Sequence, residues 1–359
     1  NISIIPAATV TYAEVKNQAN VAVDGTVQAG KDLSVTADAS TDLSASSAAV
    51  VDDQGSSAVN SGYAAVTLVN NDTSASVEIN KENDSEKTAI LKAGGALAVN
   101  ANVTDSLDSA AEAATTNKSA LATAVNVVKS SGKAEINAGK AELSGTSVDI
   151  HAQNTLDGNA ITANNSVGDA PLKSVTGAVN AIQNGVDSAE TILGYADTGY
   201  LADSLNTALS QQLTGALGES STDPAKSITK TLGKYFDVGA SVAVVNETHS
   251  AAVHLQDTKV AATGETNVGA DMEIRNSAMN VSGSVTSGKS KKKSSGGSSA
   301  VFTADAAVLV SDMDNSASVV TEGNTEITGH TVNIASATKM GYNINSMIDD
   351  MKESIQALL

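Results

Sequence analysis

The chain has 359 residues, a formal net charge of −19 and no cysteine. Disulfides therefore do not stabilise it, and its acidity opposes contact with nucleic acid or an anionic membrane. Its 41% hydrophobic content is almost wholly aliphatic, with six Tyr, two Phe and no Trp, so alternating Ala and Val must fill a thin core between closely stacked rungs.

In chain order, one phrase recurs five times. The first copy runs from Ala13 to Val15 and then through residues 19–23 (ANVAV), 26–30 (TVQAG) and 33–37 (LSVTA). The second comprises residues 63–69, 75–79, 88–94 and 97–101, and the third, its closest echo, residues 121–128, 134–136, 141–145 and 148–152. The fourth spans Val238 to Arg275, and the fifth holds residues 301–310, 317–320, 325–328 and 332–335. Apolar and polar residues alternate at period two, which predicts strands. The polar stretches between them are longer than two-residue hairpins need and carry no clear Asn-Gly signal, so stacked coils are favoured over a meander.

Comparable positions fall at Val15, Val69, Val128, Val245 and Val310, and the step from Val128 to Val245 is double the others. The doubled step marks an insertion into one repeat. Immunoglobulin-like sandwiches need about 100 residues each, whereas two coils of a three-stranded β-helix, roughly 25 to 30 residues per coil, fit one copy. The expected fold is mainly β: a parallel β-helix (β-solenoid) of degenerate repeats of about 55 to 65 residues, elongated along its axis, with an inserted α-helical bundle. Val21, Val35, Val77, Val99, Ile136, Ile150, Val253, Ile274 and Ile334 are expected to point inward. Neither end of the sequence offers a polar cap, as expected of a piece from a longer array.

The expected units are repeats 1 to 3 over 1–165, a helical insertion over 166–237, repeats 4 and 5 over 238–340 and an amphipathic helix over 341–359. Within the insertion Pro171 opens a first helix, whose seam is Leu172, Val175, Val179, Ile182, Val186, Ala189 and Leu193. Leu201, Leu205, Ala208, Leu209, Leu213 and Leu217 mark a second, and Ile228, Leu232 and Phe236 a third. Three such stripes can be buried only against each other or against the solenoid, and a small bundle projecting from the fibre is the expected outcome. Ile344, Met347, Ile348, Met351, Ile355 and Leu358 predict the terminal helix.

Candidate chemistry is sparse. His151, His249, His254 and His330 are scattered and are expected in solvated turns; His249 and His254, an odd number apart, cannot share a strand face. Asp312, Asp314 and Asn315 in Ser311 to Ser316 offer oxygens of the kind Ca²⁺ takes, without the glycine and distal Glu of an EF-hand loop. No cofactor is expected, with Ca²⁺ as the weaker alternative. Asp52-Asp53 and Asp349-Asp350 are expected as solvated charges, and no nucleophile elbow, phosphate loop or zinc-helix motif is present. Ser282 to Ser299 is a low-complexity tract holding Lys289, Lys291, Lys292 and Lys293, the one basic cluster of the sequence and its candidate electrostatic contact. It takes the place of the stretches Asp38 to Ser57 and Asn102 to Ser119, all three expected to be polar loops.

The phrase at 239–246 (GASVAVVN), followed by an Ala-x-Ile/Val rung and by a Leu-x-Val-x-Ala rung as at 97–101, resembles the repeats of the very large leukotoxin-type filamentous adhesins of bacteria. The resemblance covers nearly all of the strand-rich part, and similar Ala/Val repeats occur in two-partner-secreted haemagglutinins and autotransporter passengers. It implies an extracellular or cell-surface β-helical stalk, without catalytic residues, in attachment or contact with host or neighbouring cells, glycans included. Self-association into surface layers or filaments is the alternative, and a carbohydrate-active β-helix enzyme the third reading, opposed by a single arginine and few aromatic platforms. No apolar run reaches the roughly 18 residues of a membrane span.

Overall fold

The computed structural model describes residues 4–51, 60–80, 87–115, 121–167, 236–285 and 302–348. Among these residues there are sixteen strands and no helix. Rung one is β1 (Ile4–Val23), β2 (Thr26–Ala29) and β3 (Leu33–Val51). Rung two is β4 (Asn60–Ile79), β5 (Ala89–Ala93) and β6 (Ala96–Thr115); rung three is β7 (Leu121–Ala138), β8 (Ala141–Gly145), β9 (Ser147–Asp157) and β10 (Ala160–Val167). Rung four is β11 (Phe236–Gln256), β12 (Lys259–Ala262) and β13 (Glu265–Val285), and rung five β14 (Phe302–Glu322), β15 (Glu326–Thr328) and β16 (Thr331–Ile348).

Three parallel sheets result. The front sheet is β1-β4-β7-β11-β14, the short side sheet is β2-β5-β8-β12-β15, and the back sheet carries β3, β6, the β9 and β10 pair, β13 and β16. Ala13 stands beside Val69, then Val128, Val245 and Ser311, so the doubled step again falls between the third rung and the fourth. The parallel β-helix and the repeat spacing expected from the sequence are present, although Val15 and Val310 are two and one positions off the true register.

Each repeat is one coil, not two. The polar stretches read as turns, such as Asn246 to Ser250 in β11, continue the strand. Parallel neighbours on both sides supply the backbone hydrogen bonds, so side-chain polarity does not end the strand. The stretches at Asp38 and Asn102 are strand as well, to Val51 and Thr115 respectively. A strand of twenty residues is about 65 Å long while five rungs are about 20 Å deep. The solenoid is therefore a wide, shallow slab, where elongation along the axis was expected.

Two further expectations are corrected. Residues 341–348 extend β16 beside β13, from Ser277 opposite Tyr342 to Gly283 opposite Ile348, where the apolar spacing predicts a helix. Pairing along a neighbouring strand outweighs a short helical pattern, whose last part, 349–359, lies outside the described residues. Phe236, assigned to the third helical stripe, opens β11. The rest of the expected helical bundle, 168–235, also lies outside the described residues, as do Asp52-Asp53 and Asp349-Asp350.

Where all three sheets meet, Val77, Ile79, Leu91, Leu97, Val99, Ile136 and Ile150 form the main core. Further along, front and back sheets face each other alone, first through Val69, Val128, Val245, Leu107, Ile161 and Met279. Beyond these come small residues such as Ala65, Ala124, Ala113 and Ala163. Of the inward positions read from the sequence, Val77, Val99, Ile136, Ile150 and Val253 are fully buried, with Val35 and Ile274 close behind. Val21 packs against the core from rung one. Ile334 stands in register with Val268 yet is 52% exposed, because no described rung lies beyond it.

Candidate functional site

Midway along the long strands the inward row becomes polar in every rung. Rung one contributes Asn17 and Thr41, rung two Asn71, Thr73 and Asp105, rung three Ser130, Asn154 and Asn159, rung four Glu247 and His249, and rung five Asn315 and Tyr342. In rungs two to four these residues are shut off from solvent, at 0 to 1% exposure.

Cross-sheet hydrogen bonds link the rungs. The Asn17 amide donates to the Ser40 carbonyl at 2.7 Å, and the Thr41 and Thr73 hydroxyls share a bond of 2.8 Å. Glu247 is held from two sides: Asn159 Nδ2 donates to Oε1 and Tyr342 Oη to Oε2, both at 3.0 Å. Asn159 reaches it because the back sheet breaks between β9 and β10, where Gly158 adopts φ 78°, a conformation that favours glycine. The Asn159 Oδ1 also accepts from the Leu107 N–H at 3.0 Å, filling the gap that the break leaves in the ladder.

Burial perturbs the ionisable groups of this track. It pushes the Asp105 carboxyl up to about 6, partly held back by Thr73, Asn71 and Thr41, although neither carboxylate oxygen makes a well-formed hydrogen bond. Glu247 is raised by burial against the pull of Tyr342 and Asn159. The Tyr342 phenol is raised by burial and by the neighbouring Glu247 carboxylate. Burial also lowers His249 to about 4, and neither of its ring nitrogens has a hydrogen-bond partner. Gly132 makes the room for that ring, since a Cβ there would stand 2.5 Å from His249 Nδ1 and 2.9 Å from Asn154 Nδ2.

Such groups are typical of catalytic centres and of structural networks alike. Here they face only one another and the backbone, which suits them to fixing the fold. Among the described residues no three His, Asp or Glu side chains converge as a metal site would. The Ser311 to Ser316 cluster lies inside β14, where Asp312 and Asp314 share the outward parity and Asn315 the inward one, so its oxygens divide between two faces.

The outer faces carry the remaining charge. His151 Nε2 lies 3.0 Å from Asp271 Oδ2 above Gly269, and His254 Nε2 lies 3.3 Å from Glu322 Oε2. Arg275, the single arginine, pairs with Glu273, which also takes Lys339 at 2.7 Å. Those two cations hold the Glu273 carboxyl well below the usual carboxylate range. The expectation of turn histidines fails for three of the four: His151 lies in β9, and His249 and His254 both lie in β11. As parity requires, the last two face opposite sides, His249 inward. His330 alone is exposed between strands.

Lys289, Lys291, Lys292 and Lys293 lie outside the described residues. Their tract joins the end of β13 at Val285 to the start of β14 at Phe302, so it belongs to the edge where the back sheet returns to the front sheet. Segments 52–59, 116–120 and 168–235 make the same crossing in the earlier rungs.

Sequence reasoning missed Asp105, Glu247 and His249 as interior residues, yet the signal was present. Val245, Glu247, His249, Ala251 and Val253 share one parity, and an unbroken strand turns them all inward. No helix among the described residues is long and apolar enough to cross a membrane. No family model, no curated protein and no solved structure matches this chain.

Proposed function

We propose that this chain is a non-catalytic structural and adhesive segment of a large bacterial cell-surface or secreted filamentous protein. The observation that carries this reading is the stack of five rungs in register, whose ionisable interior is sealed in rungs two to four and whose outer faces carry polar and charged side chains at each rung beside one apolar row on the front sheet. A partner meets repeated weak contacts along such a surface, so attachment is multivalent. Perturbed carboxylates that no solute reaches also weigh against the enzyme reading.

The Lys289 to Lys293 tract is the electrostatic contact in this proposal, directed at acidic glycans of a host or neighbouring cell. Replacing Lys289, Lys291, Lys292 and Lys293 by Ser is expected to weaken binding of the chain to immobilised acidic glycans. Parent binding is expected to fall as the screening length shrinks to about 8 Å near physiological salt. Binding that ignores both salt and the four substitutions refutes the contact.

A second reading, self-assembly into filaments or surface layers, is favoured by one observation. Rung five exposes an apolar row, with Val332, Ile334, Met340 and Ile344 at 41 to 52%, which the first rung of another copy would cover. Light scattering and negative-stain microscopy separate the two: discrete particles support the first reading, growth along the stacking axis the second.

A further inference from the structure

Both ends of the slab are open edges of the same three sheets. Among the described residues the strands of rung five pair only with rung four, and those of rung one only with rung two. β14 and β16 at one end, and β1 and β3 at the other, therefore present unpaired backbone N–H and C=O groups along their length. The inward rows are half open there: Ile334 is 52% exposed at one end and Val27 37% at the other. Strand pairing through the four joints inside the chain also fixes what one more joint would bring together. Followed from rung one to rung five, three inward columns run from Val21 to Val319, from Val27 to Ile327 and from Val35 to Ile334, apolar at both limits. In the polar track Asn17 and Asn315 close one column, and on the outer face beside them Lys16 and Asp314 close the next.

Resting on the self-assembly reading, we infer that a second copy of this chain stacks its rung one on rung five, parallel and in register, so that all three sheets run on through the joint. Val319 then meets Val21, Ile327 meets Val27 and Ile334 meets Val35, as their equivalents meet at each joint within the chain. Asn315, whose Oδ1 has no partner in its own chain, comes beside Asn17, amide beside amide, and Asp314 comes within ion-pairing reach of Lys16. A slip of two residues loses both, since it sets Asn315 against Val15 or Ala19 and Asp314 against Glu14 or Gln18. Asp312 against Glu14 opposes the joint, as does the net charge of −19 on each copy, so the apolar columns must carry the contact. With side chains on both faces each end measures roughly 65 by 20 Å, on the order of 1,000 Å² per copy against the roughly 800 Å² of a stable interface. Like ends do not substitute. They would meet with strands antiparallel, and either β14 would lie over β16 of the second copy or β15 would pass to the end where no side strand meets it. The joint is therefore head to tail, and it leaves a free rung one and a free rung five after every addition, so growth is unipolar with a repeat of about 24 Å.

The chain has no cysteine, so single thiols report the joint directly. Gln18 and Ser316 close one outward column and both are exposed. Full chains carrying Gln18→Cys are mixed with full chains carrying Ser316→Cys at near-physiological salt, where the screening length is about 8 Å, and oxidised. Disulfide-linked dimer is expected at a yield about tenfold above that of Gln18→Cys mixed with Ser318→Cys, one slip out of register, because a disulfide needs Cα atoms about 4 to 7 Å apart. Neither thiol variant alone is expected to exceed the out-of-register yield. In sedimentation, Lys16→Asp is expected to weaken association about 5- to 10-fold, and Asp314→Lys in the same chain to restore it to within about twofold of the parent. Both side chains are exposed, so neither change disturbs the core. Oligomers that link equally well at Ser318, or through like ends, or that the charge exchange fails to restore, overturn this joint and leave self-assembly standing. A chain that sediments as a monomer at every concentration and yields no linked dimer overturns both.

Discussion

Asp105→Asn is expected to stabilise the fold at neutral pH. The Asp105 side chain is fully buried and its carboxyl is raised from 3.8 to about 6, chiefly by burial. At about 1.4 kcal/mol per pKa unit, holding it ionised in the folded state costs roughly 3 kcal/mol. The sign follows from proton binding. Below pH 3.8 the residue is protonated folded and unfolded, and the penalty is absent. Between 3.8 and about 6 the unfolded chain releases the proton first, so stability falls as pH rises, and above about 6 the full penalty applies. Asparagine keeps the shape, removes the charge and can donate to the Thr41 and Thr73 hydroxyls. Urea denaturation at pH 7.5 and at pH 4 measures both effects. The variant is expected to gain about 1 to 3 kcal/mol over the parent at pH 7.5, and to lose much of the stabilisation that the parent shows on acidification through this window. An unstabilised variant at pH 7.5, or an unchanged pH dependence, refutes the reasoning.

His249 works in the opposite sense: lowered to about 4 by burial, it adds stability that is full above pH 6.5 and lost as pH falls towards 4, so His249→Phe should flatten that acid limb in the same urea titrations. Gly132→Ala should cost about 1 to 3 kcal/mol by overpacking against His249 and Asn154, and less when His249→Ala is present, measured as a double-mutant cycle. Ile136→Asp buries an unpaired carboxylate and should cost several kcal/mol, on the order of 3 or more, whereas Ile334→Asp, inward but half exposed, should cost about 1; equal melting shifts would refute the rung assignment. Asn126→Val should cost about 2 to 4 kcal/mol, because it strips partners from the Ser109 hydroxyl and from the carbonyls of Ser109 and Thr162; unchanged hydrogen exchange in β7 and β10 would show that those bonds do not hold the sheets.

The repeat, its parallel stacking and nearly all the inward Val and Ile rows were legible because period two is imposed by the backbone and repeated in every rung. The length of a coil was not. Val69 and Ala75 were read as belonging to separate strands because Asn70, Asn71, Asp72, Thr73 and Ser74 intervene, and five polar residues in a row ordinarily signal a turn. In a stack the backbone is satisfied from both neighbours, so Asn71 and Thr73 need only partners for their side chains, and Asp105 and Thr41 stand opposite. The interior track was hidden for the same reason: Glu247 and His249 become core residues only when the strand is continuous. The outward apolar residues of the front sheet were half legible, since Val242, Val244 and Val245 stand in one run whose strict alternation fails.

The buried polar track also answers a problem that the composition creates. A one-residue slip between rungs would turn the core rows outward and is forbidden by their burial. A two-residue slip preserves parity, and in a core made of Ala and Val it would exchange one small aliphatic side chain for another at little loss. Hydrophobic burial therefore sets which face is inside without setting the register along the length of each strand. The Thr41 to Thr73 bond, the three bonds of Asn126 and the clasp of Asn159 and Tyr342 on Glu247 each exist at one register only. A slip of two would leave each donor or acceptor facing aliphatic neighbours, at about 1 to 3 kcal/mol per group. Stability comes from the Val and Ile rows and specificity from the polar row between them, so substituting the polar residues by aliphatic ones should harm order along the strands more than it harms their burial.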